Sequence, residues 1–303
     1  MKYELIIIRY GEIGLKAKET RKRFEDILVS NIKNAFISKN LSSEIKKERG
    51  RIYVYTTHIN ECINVLQKIF GITSVSPAFQ TSSEIRSMSK LAVNLSKKKL
   101  SGKKTFALRV TRTGKHDFTS QDVAIKIGND TVKETKAIVN LTKPDLELFV
   151  EVRNDKAFIF TEKIRGTGGM PLGTQGNVLS IIENVESILA AWYLMRRGCK
   201  SIFLKTETLN DDIIKSFLDN WFIKTEIITI NSKEDIFTEI NKILTQKNCE
   251  AIVTGHTFSS GLLKTMDDLK DLKKQFKIPI LTPLISMGKK DVHKKCREIG
   301  LQA

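Results

Sequence analysis

Hydrophobic positions in the first 165 residues alternate between the spacing of strands and the spacing of helices. The run 3–9 is apolar and β-branched, as in a buried strand, whereas Phe24, Leu28 and Ile32 recur at the spacing of an amphipathic helix. Further strands are predicted near 45 and at 52–55, 73–79, 106–110, 146–152 and 157–161. This mixture predicts α+β structure for the first half of the chain.

From residue 177 onward, apolar runs alternate with helix-like segments. The runs are 178–182, 201–204, 226–230, 250–253 and 279–281, and the helix-like segments lie near 187–197, 210–221, 233–246, 262–274 and 289–298. Such alternation predicts an open parallel sheet with right-handed crossovers. Ligands bind these sheets at the carboxyl ends of the strands, so a phosphate is expected between Ile182 and the following helix.

The positive charge of the chain is concentrated in its first half. The net charge is +17; residues 1–165 contain 32 Lys/Arg and 18 Asp/Glu, whereas residues 166–303 contain 19 and 16. An excess of +14 in one half is the electrostatic pattern expected of a nucleic-acid surface. Charge alone leaves a solvated basic face open as the alternative.

The basic residues of the first half fall into three groups. One group opens the first predicted helix, where positive side chains add to the positive end of the helix dipole and favour a bound anion. The others lie near the end of the 106–110 strand and in the lysines around 97–104. The candidate RNA-binding residues are Lys16, Lys18, Arg21, Arg23, Lys103, Lys104, Arg109, Arg112 and Lys115. Because no exposed aromatic residues are evident beside them, we expect recognition of RNA backbone and shape.

The cysteines and histidines indicate no metal centre. The four cysteines lie far apart, without a CxxC pair or zinc-ligand spacing, and the four histidines are dispersed. The sequence contains no 18-residue apolar run and no signal-peptide pattern. We therefore expect a soluble cytoplasmic protein with reduced thiols.

Five segments match a known family in order and spacing. They are RYGEIGLKAKETRKRFEDIL from Arg9, FALRVTRTGKHDFTSQDVAIKIG from Phe106, LELFVEVRNDKAFIFTEKIRGTGGMPLGTQG from Leu146, TGH at 254–256 and ILTPLISMGKKDVHKKCREIG at 280–300. With these segments the chain resembles the tRNA 4-thiouridine synthetase (tRNA sulfurtransferase) family.

The resemblance implies three domains and a tRNA partner. They are an N-terminal ferredoxin-like domain at 1–58, a THUMP RNA-binding α+β domain at 59–165 and, after a linker at 166–176, an α/β domain at 177–303. The third domain is of the ATP-pyrophosphatase (PP-loop) type, with the parallel sheet of the adenine-nucleotide α-hydrolases. In this family the first two domains grip the acceptor end of tRNA and the third adenylates a uridine. The resemblance also suggests a homodimer.

The family's adenylation step needs an SGGxDS loop, which is degenerate here. The corresponding residues are Ile182, Glu183, Asn184, Val185, Glu186 and Ser187, of which only Ser187 is retained. Glycines allow backbone N–H groups to approach phosphate oxygens, and Glu183 would add negative charge at that point. Gly255 and His256 belong to a segment that replaces a family loop near the nucleotide, and are the candidate remnant of that side of the site.

Two further parts of the family's machinery have no counterpart. The family's sulfur-carrying cysteine lies beyond the matched C-terminal segment, and Cys296 does not correspond to it; an arginine-rich helix is missing between 206 and 250. The sequence therefore predicts a tRNA-binding module or subunit without catalytic residues, metal or cofactor, which serves a separate tRNA-modifying enzyme. The alternative is an active uridine 4-sulfurtransferase that uses ATP and Mg²⁺ with a separate sulfur carrier. A THUMP-linked methyltransferase is disfavoured because no glycine-rich S-adenosylmethionine loop follows a strand.

Overall fold

The computed structural model describes residues 2–100, 104–205, 209–230, 236–257, 270 and 273–301. Contacts divide the chain into two compact units. Unit 1 comprises Met1–Arg9, Leu41–Asn64 and Ser74–Arg165, and unit 2 comprises Tyr10–Asn40, Val65–Thr73 and Gly166–Ala303. No helix within the described residues is long and apolar enough to cross a membrane.

The strands of the first half of the chain form one mixed sheet. Among the described residues it has nine strands in the order β2-β3-β1-β4-β8-β7-β5-β6, with β9 paired to β4. The strands are β1 (Leu5–Tyr10), β2 (Glu44–Glu48), β3 (Arg51–Tyr55), β4 (Ile72–Ser82), β5 (Thr105–Thr113), β6 (Ile138–Val139), β7 (Leu146–Arg153), β8 (Lys156–Phe160) and β9 (Ile164–Arg165). The two-residue strands β6 and β9 were not predicted, because two residues show no periodicity.

Four α-helices accompany these strands in sequence. They are α1 (Lys18–Ser38), α2 (Ile59–Leu66), α3 (Ile85–Lys99) and α4 (Ser120–Thr135), and a 3₁₀ turn at Glu12–Leu15 precedes α1. In unit 1, α3 and α4 bury Met88, Leu95 and Ile127 against β7 and β8. Thr119 and Asp122, three residues apart in the sequence, cap α4: Thr119 Oγ1 accepts from the Asp122 N–H, and the Asp122 carboxylate accepts from the Thr119 N–H.

One buried carboxylate in unit 1 forms ion pairs with three arginines. Glu151 on β7 accepts hydrogen bonds from Arg9 Nη2 at 3.2 Å and from Arg153 Nη1 at 3.3 Å, and its Oε1 lies 2.7 Å from Arg51 Nε in an ion pair. Its side chain is 6% exposed. Burial raises the pKa of Glu151, but the attraction of Arg51, Arg9 and Arg153 outweighs burial, so its pKa lies below the usual value. Glu151 is therefore the shared counter-ion of β1, β3 and β7.

Unit 2 contains the predicted parallel sheet. Its five strands, in the order β12-β11-β10-β13-β14, are all paired in parallel within the described residues. They are β10 (Asn177–Ile182), β11 (Lys200–Lys205), β12 (Ile227–Thr229), β13 (Cys249–Val253) and β14 (Ile280–Leu281), and the helices are α5 (Val185–Arg196), α6 (Asp211–Asn220), α7 (Ile236–Gln246) and α8 (Lys289–Glu298). The helix predicted near 262–274 falls largely outside the described residues.

Both faces of the parallel sheet are covered, which explains its continuous apolar runs. Along β10, Val178 and Ile182 belong to one core with Trp192 and Trp221, whereas Leu179 belongs to the core on the other face. Both tryptophans are therefore core residues, as their positions on apolar helical patterns indicate. The core fixes β10 and α5, and with them the junction at which a nucleotide is expected.

Candidate functional site

The strand order of unit 2 defines a crevice at one edge of its sheet. In chain order the strands are arranged 3-2-1-4-5, so the order reverses between β10 and β13. Open α/β sheets bind ligands outside the carboxyl ends of the strands at such a reversal. The crevice is bordered by Glu183–Ser187 after β10 and by Thr254–Thr257 after β13.

Three backbone N–H groups at the β10–α5 junction are engaged within the junction itself. Ser187 Oγ accepts from the N–H groups of Glu183 and Asn184, each at 3.0 Å. In return, Asn184 Oδ1 accepts from the Ser187 N–H at 2.9 Å, which caps α5. A phosphate-binding loop would present such N–H groups to its ligand, but here a serine side chain already occupies two of them.

The two loops that border the crevice touch each other directly. A Cβ atom placed on Gly255 would lie 2.5 Å from Ser187 Cα and 2.6 Å from Ser187 N. Only glycine permits this approach of one backbone to another. The loop after β13 therefore packs on the first turn of α5 and closes the crevice at Ser187.

Two carboxylates lie beside the first turn of α5. Glu183 Oε2 is 3.6 Å from His256 Nε2, and Glu186 Oε1 is 3.6 Å from His293 Nε2. Burial lowers the pKa of His256, and the opposing attraction of Glu183 does not cancel this effect. Carboxylates stabilise a helix N-terminus, so the chain itself supplies the negative charge that a phosphate would bring. Two carboxylates and three engaged backbone N–H groups therefore lie at the junction where a phosphate is expected.

The thiols of the chain are held in their protonated form. Burial raises the pKa of Cys62, Cys199 and Cys249. Burial, with a smaller contribution from Glu186, raises the pKa of Cys296 to about 11. Because the thiolate is the nucleophilic form, burial disfavours the reactive form of all four thiols.

The first predicted basic group lies at the start of α1, in unit 2. The helix begins at Lys18, and its N-cap residue Ala17 makes no side-chain hydrogen bond to the first turn. Lys18 and Arg23 are exposed, whereas Lys16 and Arg21 are half-buried. Positive side chains around an N-terminus without a side-chain cap form an arrangement suited to an anionic partner.

The second predicted basic group lies along β5, in unit 1. Arg112 and Lys115 are exposed near the carboxyl end of β5. Arg109 is already engaged: its Nε donates to Glu147 at 3.0 Å and its Nη2 to the Leu141 carbonyl at 2.7 Å. Arg112 and Lys115 lie together as exposed cations at that end, and Arg112 Nη1 donates to the Gly114 carbonyl at 3.4 Å.

The lysines of the third predicted group lie at the other end of β5. Lys104 precedes β5 and donates to the Lys99 carbonyl at 3.3 Å. At about 3.3 Å per residue, the length of β5 separates Lys104 from Arg112 by about 25 Å. Lys103 lies outside the described residues.

The contact between Gly255 and Ser187 yields a prediction about stability. We expect Gly255→Ala to lower the free energy of unfolding by about 1–3 kcal/mol, because the added methyl group would overlap the Ser187 backbone. Urea unfolding would measure the change. Gly128→Ala is the matched control: Gly128 lies in α4, where an added Cβ atom would have no neighbour within 4 Å, so stability should rise by about 0.5–1 kcal/mol. Equal effects of the two substitutions would contradict the packed crevice.

Three family models match separate parts of the chain. They are described as "ThiI ferredoxin-like domain" at residues 5–76, "THUMP domain" at 82–162 and "Thiamine biosynthesis protein (ThiI)" at 207–303. Residues 163–206, which include the β10–α5 junction, lie between the second and third matched ranges.

Curated relatives and solved structures are similar over nearly the whole chain. A protein of Methanobrevibacter smithii named "Probable tRNA sulfurtransferase" is 34% identical, and the alignment covers 99% of this chain and 87% of that protein. A protein of Methanocaldococcus jannaschii with the same name is 32% identical, and the alignment covers 97% of this chain and 87% of that protein. PH1313 from Pyrococcus horikoshii has a TM-score of 0.85 at 28% identity, covering 98% of this chain and all of that one. A 4-thiouridine synthetase solved in an RNA complex with bound ATP has a TM-score of 0.82 at 24% identity, covering 99% and 85%.

The matches and the two sheets define the class of protein. It is a THUMP-domain protein with a ferredoxin-like part before the THUMP domain and a PP-loop-type parallel sheet after it. Its identity to the M. smithii protein places the chain in the tRNA sulfurtransferase family. The predicted fold class is thereby confirmed.

Proposed function

We propose that this member of the family binds tRNA and does not itself adenylate a uridine. The observation that carries the proposal is the closed crevice at the β10–α5 junction. There, Ser187 Oγ engages two backbone N–H groups, Gly255 packs on Ser187, and Glu183 and Glu186 lie beside the helix N-terminus. An ATP phosphate would have to displace each of these contacts and approach two carboxylates.

The chain differs from its relatives in length within the shared region. The alignment with the M. smithii protein spans 337 residues, whereas this chain has 303, so that relative has at least 34 residues inside the shared region that this chain lacks. The β10–α5 junction also lies outside the range matched by the third family model. Changes in a site on a retained fold are the expected route to a changed function.

The proposed RNA partner rests on charge, on the THUMP match and on the fold. Residues 1–165 contain an excess of 14 positive charges, and exposed basic residues lie at the start of α1 and at the end of β5. The 4-thiouridine synthetase of similar fold was solved with RNA. We infer that the partner is tRNA, bound through its acceptor end, and that the contacting residues are those predicted from the sequence: Lys16, Lys18, Arg21 and Arg23 in unit 2, Lys104, Arg109, Arg112 and Lys115 in unit 1, and Lys103.

The role that follows is that of a binding module or subunit. In this proposal the protein works in the cytoplasm as a homodimer, takes no cofactor, and presents tRNA to a separate modifying enzyme. An active sulfurtransferase is the second candidate, because relatives 34% and 32% identical carry that name. It would need ATP and Mg²⁺ in the crevice and sulfur from a separate carrier.

Electrophoretic mobility assays with tRNA at 50 and 200 mM salt test the proposed partner. We expect a shifted complex whose affinity falls steeply with salt, because bound lysines and arginines release counterions from the phosphates. Absence of a salt-sensitive complex at the lower salt concentration would contradict tRNA binding.

A further inference from the structure

A cleft in unit 2 lies away from the crevice, near the amino ends of the parallel strands. It has a volume of about 430 Å³, which falls in the range of small-ligand sites. It is lined by one face of α1, the segment before β10, the start of β11 and the turn from α6 to β12, and none of its twelve described lining residues is acidic. The cleft therefore favours a ligand with negative charge.

An aromatic residue in an unfavourable backbone conformation lines this cleft. Phe222 follows α6 with a φ of +55°. The Ile223 N–H donates to the Leu218 carbonyl at 2.9 Å and the Phe222 N–H to the Asp219 carbonyl at 3.4 Å, a helix ending at which glycine is the usual residue. A bulky side chain costs conformational free energy there, and such strain points to a role for the ring that glycine could not fill.

Lysines and amides complete the lining. Lys200 and Lys224 are exposed at the cleft. The stem of Lys200 lies against Gly173, where an added Cβ atom would be 2.9 Å from Lys200 Cε. Asn31 and Asn34 lie on the α1 face of the cleft. Asn31 Nδ2 already donates to the Leu172 carbonyl at 3.1 Å. Two ammonium groups, an aromatic ring and the Asn34 amide are groups that recognise a phosphate, a planar base and the polar edge of that base.

We propose that this cleft binds one nucleotide. Lys200 and Lys224 contact its phosphate, the Phe222 ring stacks on its base, and Asn34 hydrogen-bonds the base edge. A simple inorganic anion would make no use of the aromatic ring, and an apolar ligand would leave the two lysines without a partner.

The nucleotide has two chemical sources. It is either a free mononucleotide or an unpaired nucleotide of a bound RNA, and the second source rests on the proposed function. The second is favoured by continuity along α1: Ile27 and Ser30 line both the cleft and a shallow depression whose other lining residues are Lys22, Arg23, Glu19 and Asp26.

Intrinsic fluorescence of the full chain gives a local measurement. The chain has two tryptophans, and both lie at this place: Trp221 lines the cleft and its ring centroid is 5.3 Å from that of Trp192. Emission excited at 295 nm would be followed during titration with AMP, UMP, ribose 5-phosphate and a single-stranded RNA trinucleotide. We expect saturable quenching by the nucleotides or the trinucleotide and at least tenfold weaker binding of ribose 5-phosphate.

Three variants assign the signal to the cleft. Phe222→Gly should weaken binding at least tenfold while leaving the melting temperature unchanged or raised, because it removes the strained conformation. The double variant Lys200→Gln, Lys224→Gln should weaken binding similarly. The control variant Lys215→Gln, Lys242→Gln removes the same charge from exposed positions on α6 and α7 and should not weaken binding. Glu183→Gln, in the crevice, should leave the quenching unchanged.

Each outcome decides the proposal. Quenching by the trinucleotide alone identifies RNA as the source, and quenching by AMP or UMP without any tRNA mobility shift leaves the nucleotide site standing while the proposed function fails. The nucleotide site would be overturned by any one of three results: no quenching by any probe, retained binding in Phe222→Gly, or a lower melting temperature of that variant. A tRNA shift with none of the probes bound would overturn the nucleotide site and leave the proposed function intact.

Discussion

Replacing Glu151 by glutamine is expected to lower the free energy of unfolding by about 3–5 kcal/mol. The carboxylate is the counter-ion of Arg9, Arg51 and Arg153, which come from three strands of unit 1. Without it, three guanidinium groups would remain close together with little water to screen them, since the side chains of Arg9 and Arg153 are each only 12% exposed. Removal of one partner from a buried ion pair is among the costliest single substitutions. Chemical denaturation of the purified variant would measure the change.

Glu147→Gln is the matched control for Glu151→Gln. Glu147 lies on the same strand and pairs with Arg109 at 3.0 Å, but its side chain is 42% exposed. Exposed pairs contribute about 0–1 kcal/mol, so this variant should change stability little. Similar losses in both variants would contradict the role of the buried arginines.

Acid should reproduce part of the Glu151→Gln effect. The pKa of Glu151 is lowered in the folded state, so its contribution is present above the ordinary carboxyl pKa and is lost as pH falls through the lower folded pKa. The stability difference between the wild type and Glu151→Gln should therefore shrink below about pH 4. Denaturation curves at pH 7 and pH 3.5 would measure it, and an unchanged difference would contradict the assignment.

Substitution of three basic residues in the first two turns of α1 should weaken tRNA binding about tenfold and flatten its salt dependence. The variant is Lys18→Gln, Lys22→Gln and Arg23→Gln, all exposed positions. Each lost phosphate contact reduces the slope of log affinity against log salt by about 0.9, so the slope should become shallower by about 2–3. A loss of about 0.5 kcal/mol of binding free energy for each of the three contacts corresponds to the expected tenfold change in affinity.

A control variant separates local contacts from overall charge. Lys215→Gln, Lys242→Gln and Lys290→Gln remove the same charge from exposed positions of unit 2 that lie away from α1 in sequence. Quantitative mobility assays across a salt series would compare the two variants with the wild type. An equal loss in both variants would show that net charge, and not the start of α1, governs binding.

The sequence predicted the local features of the fold well. Strand and helix spacing revealed the parallel sheet, because strands covered on both faces appear as continuous apolar runs such as 178–182. The Thr119–Asp122 cap was likewise recognisable, because its two partners are three residues apart. These features depend on neighbouring residues, so spacing alone is sufficient to find them.

Long-range features could not be predicted in the same way. Arg9 and Glu151 are 142 residues apart in sequence, and nothing in the local pattern connects them. The left-handed conformation of Phe222 has no local signal in the sequence, because it follows from where α6 ends. The cleft depends on segments brought together from α1, β11 and the turn after α6. Such groupings are set by tertiary packing.

Ser187 shows how the structure changes the interpretation of a retained residue. In sequence it is the one position kept from the SGGxDS loop, and it could be taken as a remnant of catalysis. In the structure its hydroxyl accepts hydrogen bonds from the N–H groups of Glu183 and Asn184, and the Asn184 side chain caps α5. A polar pair three residues apart before an apolar helix is a recognisable capping signal.

The most direct test of a tRNA-binding protein that does not adenylate is tRNA-dependent exchange of labelled pyrophosphate into ATP. The assay would use Mg²⁺ and protein that has been shown to shift tRNA, with a relative that carries an intact SGGxDS loop as the positive control. We predict no exchange above the protein-free blank. Exchange that depends on tRNA and disappears in Ser187→Ala would contradict the account and establish the chain as an active enzyme.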